Sequence, residues 1–296
     1  MVHPDVIPPD VIQIVGSVEK VAVVGVGLIG GSFALALRRA GCVKEIVGVG
    51  RSRANLDRAK ARGVIDRDAS RAEAVQGVDV VFLSMPVGAT GAVLDTIAPH
   101  LGPGTLVTDA GSSKRDVVEA ARAALGAGFP RFVPGHPIAG AEQSGVEAAR
   151  AELFDGKRTV LTPLAETDAQ ACKAVRGLWQ SCGADVHEMS PDAHDEVFAA
   201  VSHLPHLLAF ALVHDVSTHD AADLLFEYAA SGFRDFTRIA SSHPEMWRDI
   251  CMANRAALLV ELTRFESVLA EARQLLDAQD AAGLERLFDG ARRARN

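Results

Sequence analysis

The residues best suited to chemistry fall in a few short segments. Gly25-x-Gly27-x-x-Gly30 follows the apolar run Val21–Val24 and opens the helically spaced stretch Leu28–Arg39. In that setting Gly25 permits a tight turn, Gly27 lets backbone approach a pyrophosphate, and Gly30 lets helix and strand pack closely. The helix N-terminus adds unpaired N–H groups and a partial positive charge for phosphate. A tight turn whose glycines serve packing alone is the plainer alternative. About 20 residues on, an NAD site places a carboxylate against the ribose hydroxyls. This chain has Gly50, Arg51, Ser52 and Arg53 there. A guanidinium and a hydroxyl suit a 2′-phosphate, so NADP is favoured over NAD. Use of both nucleotides stays open, as does a merely solvated helix start. The expected cofactor set is Gly25, Gly27, Leu28, Ile29, Gly30, Arg51 and Ser52, with Ser84 and Pro86 beyond the strand Val78–Leu83.

Polar residues are also dense in Thr108-Asp109-Ala110-Gly111-Ser112-Ser113-Lys114 and in Gly135-His136-Pro137-Ile138-Ala139-Gly140-Ala141-Glu142. Each follows a predicted strand end, where open α/β sheets bind ligands. Asp109 reads equally well as a structural N-cap. Seven of the ten histidines lie between His187 and His243. At helical spacing His194, Phe198, Ser202 and His206 share a sector about 120° wide, and His203 points away from His194. That assigns His194, Ser202 and His206 to a pocket and His203 to packing, with Pro205 able to distort the register. His203-x-x-His206 straddles that proline and has no cysteine nearby, so no metal site is expected.

Positioning these residues requires elements. From Lys20 to about His187, short β-branched runs alternate with helical ones. The runs Val21–Val24, Glu45–Val49, Val78–Leu83, Thr105–Thr108, Phe132–Val133, Thr159–Thr162 and Asp185–His187 read as strands. The pattern predicts a doubly wound, mostly parallel α/β sheet over residues 18–188. After Met189 the strand signal stops. Ser190-Pro191 reads as an N-cap with proline in the first turn, and Ser242-x-x-Glu245 as a capping box opening one long helix through Phe265. Residues 189–296 are therefore expected to be all-α. Their long apolar stripes are economically buried against a second copy of the chain. Residues 1–17, with Pro4, Pro8 and Pro9, read as a loose leader.

Composition narrows the partners. Hydrophobic residues make up 48% and charged residues 23% of the 296, an ordinary globular mixture rather than a disordered one. Thirty Lys+Arg against 38 Asp+Glu leave −8, which argues against nucleic acid. Cys42, Cys172, Cys182 and Cys251 form no CxxC pair, consistent with a reducing cytoplasm. Val21 to Leu37 is uncharged over 17 residues, near a membrane length. Its clustered glycines point to a turn instead. No Lys or Arg precedes Lys20, so a signal peptide is not indicated. A cytoplasmic protein without a membrane partner is expected.

Five motifs in order, GVGLIGGS, DAGSSK, PGHPIAGAEQSGVEAA, HDEVFAAVSHLPH and GFRDFTRIASSHPEMWRDI, give a chain that resembles the prephenate/arogenate dehydrogenase family of tyrosine biosynthesis from Lys20 to about Asn254. The resemblance implies a Rossmann-type domain followed by a helical dimerisation domain. It also implies oxidative decarboxylation, with hydride leaving the ring carbon that bears the 4-hydroxyl. His136 matches the family's catalytic histidine, and neutral imidazole suits proton acceptance near neutral pH. Ser112 matches the serine that bonds the same hydroxyl. Arg238 matches the carboxylate-binding arginine, whose fork lysine does not reproduce. Glu142 and Trp247 match pocket-gating positions. Prephenate and arogenate stay undistinguished; an arogenate-only enzyme and a non-catalytic nucleotide-binding regulator are the alternatives. β-Hydroxyacid dehydrogenases, which use a lysine in the second domain, fit poorly because the last lysine is Lys173.

Overall fold

The structure, a computed structural model, describes residues 18–141 and 143–295; the expected leader and Glu142 lie outside the described residues. The first half alternates β1 (Val18–Val24), α1 (Leu28–Arg39), β2 (Val43–Val49), α2 (Arg53–Ala61), β3 (Arg67–Asp68), α3 (Arg71–Ala74), β4 (Val80–Leu83), α4 (Thr90–Ile97), β5 (Leu106–Asp109), α5 (Arg115–Leu125) and β6 (Phe132–Val133). The six strands form one parallel sheet in the order β3-β2-β1-β4-β5-β6. The β-branched runs are buried on both faces: Val21, Ala22 and Val23 have no exposed area. One face packs Phe33 and Phe82 on Trp179, with ring centroids 4.1–5.6 Å apart. The other packs Val81, Leu83, Leu94, Ile97 and Phe132. The uncharged stretch Val21–Leu37 is thus a strand, a turn and a helix rather than one span. Between β1 and β4 the strand order reverses, leaving a crevice at their carboxyl ends.

The later strands do not join this sheet. β7 (Gly135–Pro137), β8 (Arg158–Leu161) and β9 (Asp185–Glu188) form a separate three-stranded sheet, β7 antiparallel and β9 parallel to β8, with α6 (Ala169–Ser181) between β8 and β9. Pro134 separates β6 from β7 and Pro137 ends β7. Proline gives no N–H to a ladder, so the chain leaves the first sheet here. Pairing with Val160 then fixes His136 on a short strand of its own.

From α7 (Pro191–Phe198) onward the described residues are helical. Ser190 caps α7, its Oγ accepting from the Ala193 N–H at 3.1 Å. A π turn over Ala199–His203 leads into α8 (Leu204–Ser217). Pro205 has no N–H for the Val201 carbonyl and would clash with it in an α-turn; the Leu204 N–H instead reaches Ala199 O, five residues back. α9 (Ala222–Glu227), α10 (Ser231–Thr237), a 3₁₀ turn over Arg238–Ser241, α11 (Pro244–Ala253), α12 (Arg255–Asp277) and α13 (Ala281–Arg295) follow. The Ser242-x-x-Glu245 capping box does not form: His243 is the N-cap and Pro244 the first helical residue. Nor is the next helix continuous, because Asn254 separates α11 from α12. Residues Pro191–Ser217 are long and apolar enough to cross a membrane by length and composition. They nevertheless carry the fully buried ionisable residues His194, Asp195 and His203.

Candidate active site

The turn after β1 shapes the cofactor crevice. Gly25 has φ +102°, and a Cβ there would stand 2.6 Å from Ser84 O. A Cβ on Gly30 would meet Gly25 O. Ser84 Oγ donates to Gly25 O at 2.7 Å and braces the turn. Gly27, the N-cap of α1, would meet nothing within 4 Å. The backbone at the helix N-terminus is therefore open to a phosphate. The crevice encloses about 640 Å³, and Gly25, Gly27, Arg51, Ser52, Ser84 and Pro86 line it. Leu28 and Ile29 instead pack partly buried against the core. These residues fit a dinucleotide pyrophosphate. Among the described residues, no group of three or more His, Cys, Asp or Glu side chains is arranged to hold a metal ion.

Of the basic residues after β2, Arg53 is engaged by Asp68 at 2.6 Å and Asp57 at 2.9 Å. Ser52 Oγ caps α2 through the Asn55 N–H. Arg51 borders the crevice, as do Ser70 and Arg71, which the sequence did not single out. Glu245, Arg248 and Asp249 of α11 also line it. A Cβ on Gly88 would lie 2.8 Å from Asp249 Oδ2, so α11 sits tightly on the turn after β4.

Beside the crevice, β5 ends in a buried ion pair. Lys114 Nζ donates to Asp109 Oδ2 at 2.5 Å and to Gly135 O at 2.8 Å, and both side chains are nearly inaccessible. Asp109 also accepts from the Gly111 and Gly135 N–H groups. The pair thus ties the Ser112 loop to the strand bearing His136. Burial lowers the Lys114 pKa against the pull of Asp109. Sequence reasoning passed over Lys114; a lysine closing a polar segment at a strand end was the available signal.

His136 touches His194 through Nδ1···Nε2 at 2.8 Å, and His194 Nδ1 touches Asp195 Oδ1 at 2.8 Å. Both imidazoles pack on Phe198. Burial, reinforced by His194, Lys114 and His203, holds the His136 pKa well below the ordinary value. His194 is fully buried with both ring nitrogens engaged, so the expectation that it contacts substrate is corrected. His203, assigned to packing, is fully buried. The π turn shifts the register and brings His203 into this cluster, where its Nδ1 accepts from Asn254 Nδ2 at 3.0 Å. Burial pushes its pKa down to about 4, while the charge of Asp195 opposes the shift. Ser112 is half-buried beside it.

His206 lies within reach of the Arg238 charge. It stacks on the buried Trp247 with centroids 3.5 Å apart, and its Nδ1 donates to Ser202 O at 2.9 Å. Burial, with the Arg238 charge nearby, lowers its pKa. Arg238 opens the 3₁₀ turn after α10. Thus α11 carries Trp247 toward His206 and Arg248 and Asp249 toward the dinucleotide crevice.

Comparison with known proteins finds relatives of both halves of the chain. Residues 33–188 match the family described as "Prephenate dehydrogenase, nucleotide-binding domain", and residues 190–290 match "Prephenate dehydrogenase, dimerization domain". The chain is 39% identical to the prephenate dehydrogenase of Bacillus subtilis over 93% of its length and 74% of the relative's. It is 37% identical to the cyclohexadienyl dehydrogenase of Zymomonas mobilis, over 94% and 95% of the two chains. A crystal structure of the A. aeolicus prephenate dehydrogenase, in complex with hydroxyphenyl propionate and NAD+, superimposes with a TM-score of 0.88 at 38% identity, covering 94% of this chain and 98% of that one. On both halves of its sequence and on its fold, the chain belongs to the prephenate dehydrogenase family.

Proposed function

We propose that this protein oxidises prephenate with loss of its ring carboxylate, giving 4-hydroxyphenylpyruvate and carbon dioxide. The observation that carries this reading is α11, which joins the dinucleotide crevice to the stacked Trp247–His206 pair beside Arg238. A nicotinamide dinucleotide, held at the N-terminus of α1, supplies the hydride acceptor. His136, neutral at physiological pH, takes the 4-hydroxyl proton as hydride leaves the same carbon. Ser112 bonds that hydroxyl. Breakage of the ring–carboxylate bond then aromatises the ring, and His136 returns the proton to the phenolate oxygen. Arg238 pairs with a substrate carboxylate in a geometry lysine does not match. The motif match assigns Ser202, His206 and Trp247 to binding the same substrate, and it alone assigns Glu142 to gating the pocket.

NADP is the preferred nucleotide in this reading: Arg51 and Arg71 flank the crevice where a 2′-phosphate would lie, and no carboxylate follows β2 to repel it. The enzyme acts as a homodimer through its helical half. Turnover of prephenate and of arogenate with NAD and NADP, followed by reduced-nicotinamide absorbance, tests the proposal. Prephenate turnover supports it; tight nucleotide binding with neither substrate consumed replaces it with a nucleotide sensor. Arg51→Ala lowers the NADP:NAD ratio of kcat/KM by roughly tenfold, as loss of a charge-assisted contact implies; an unchanged ratio removes Arg51 from that role.

A further inference from the structure

Asp195 lies on the helical half but bonds mainly to the first half of the chain. Its Oδ1 accepts from the Lys114 N–H at 2.8 Å and its Oδ2 from the Arg115 N–H at 3.0 Å, at the N-terminus of α5. Its own carbonyl accepts from Asn254 Nδ2 at 2.7 Å. Burial opposes the Asp195 charge, but hydrogen bonds from His194 and these two amides outweigh it and lower the pKa. A helix N-terminus stabilises an anion in the same sense. Asp195 is therefore a carboxylate with acceptors only.

That fixes the hydrogens along the chain of rings. The hydrogen in the His194–Asp195 contact sits on His194 Nδ1. Burial keeps His194 uncharged against the pull of Asp195, so its Nε2 presents a lone pair. The 2.8 Å contact with His136 then requires the hydrogen on His136 Nδ1, leaving His136 Nε2 as the bare nitrogen. The other charged and titratable neighbours act consistently. Lys114 opposes a second proton on either ring and His203 opposes one on His136, while Asp109 favours one on His194 only weakly beside the burial.

We infer that Asp195 and His194 are positioning residues that hold His136 in the Nδ1–H tautomer and so aim its Nε2 lone pair at the substrate hydroxyl. The inference rests on His136 being the proton acceptor. An unconstrained neutral imidazole favours hydrogen on Nε2, which is the wrong form for that task. Once His136 takes the hydroxyl proton, its Nδ1–H faces a lone pair whose far side is anchored by a carboxylate, which stabilises the imidazolium. Loss of a carboxylate that sets a catalytic tautomer costs up to about 10⁴ in kcat in the serine-protease triad.

The test combines ¹⁵N NMR of histidine-labelled protein with kinetics of His194→Phe and His194→Gln. In the unsubstituted protein the His136 signals should show hydrogen on Nδ1. His194→Phe, which removes the acceptor, should lower kcat by roughly 10²-fold with the KM for prephenate and the dinucleotide Kd little changed. His194→Gln directs its amide N–H at Asp195 and its oxygen at His136, and should recover about tenfold of that loss. Hydrogen found on His136 Nε2 in the unsubstituted protein overturns the inference, and so do equal kcat values for the two variants. His136→Asn separates this from the underlying reading. Undiminished turnover there removes His136 as the base, while the tautomer observed in the free protein is unaffected.

Discussion

At the scale of single residues, His136 concentrates the functional argument. A general base contributes roughly 10²–10⁴ in rate, so His136→Asn should lower kcat by that factor and leave the dinucleotide Kd unchanged, as measured by fluorescence titration beside steady-state kinetics. The acid side of the pH profile follows from its environment. Burial and the neighbouring His194, Lys114 and His203 depress its pKa, so the ring stays neutral until well below the ordinary histidine range. Plots of kcat/KM against pH should be flat through pH 6.5 and decline only at lower values; an acid limb centred at 6.5 contradicts the site. His136 was legible in the sequence because a histidine in a proline-bounded loop stood among four other ordered motifs. Asp195 and Lys114 were not, since a buried carboxylate or ammonium reads in one dimension like any solvated charge. Only the fold shows that Lys114 has no exposed area and that Asp195 caps a helix in the other half.

At the scale of elements, helices with clear punctuation were readable and those bent by tertiary contacts were not. α1 runs from Leu28 to Arg39 as its apolar spacing predicts, and Gly41 follows with φ +67°. By contrast β7 is Gly-His-Pro, too short to show alternation, and its departure from the main sheet depends on flanking prolines. The π turn arises from the N–H that Pro205 lacks. The break at Asn254 places one amide against both Asp195 O and His203 Nδ1. The junction of β5, α5 and β7 yields its own prediction. Lys114→Met leaves the Asp109 carboxylate buried without its cation, and should destabilise the fold by about 3–5 kcal/mol. The urea midpoint measures this. Lys114→Met combined with Asp109→Asn should recover part of the loss, because the remaining amide carries no charge to bury. Equal stability of the single and double variants would mean that the pair does not act as a unit.

At the scale of the whole molecule, the two halves satisfy their apolar surface differently. In the first half, helices cover both faces of the parallel sheet, as the alternating pattern implied. In the second, α12 spans 23 residues and buries only Ala257 and Leu258, while Leu259, Val260, Val268, Leu269 and Leu276 are 47–63% exposed. Val197, Val201, Leu212 and Phe236 add apolar surface on neighbouring helices. Isolated exposed leucines need no explanation, but so many along one helix and its neighbours mark an interface. The sequence disclosed its apolar stripes without showing which neighbours cover them, because that depends on how helices pack. A second copy packing its helical half against this one would bury much of this surface with two-fold symmetry, in keeping with the match to a dimerisation domain. Leu269→Glu with Leu276→Glu, seven residues apart and so on one side of α12, puts carboxylates into that surface at a cost no partner charge offsets. Light scattering coupled to gel filtration should then give twice the monomer mass for the unsubstituted chain and the monomer mass for the variant. A dimer that survives both substitutions would place the interface on another surface, and a far-UV spectrum unchanged in the variant ensures that a lost dimer is not simply a lost fold.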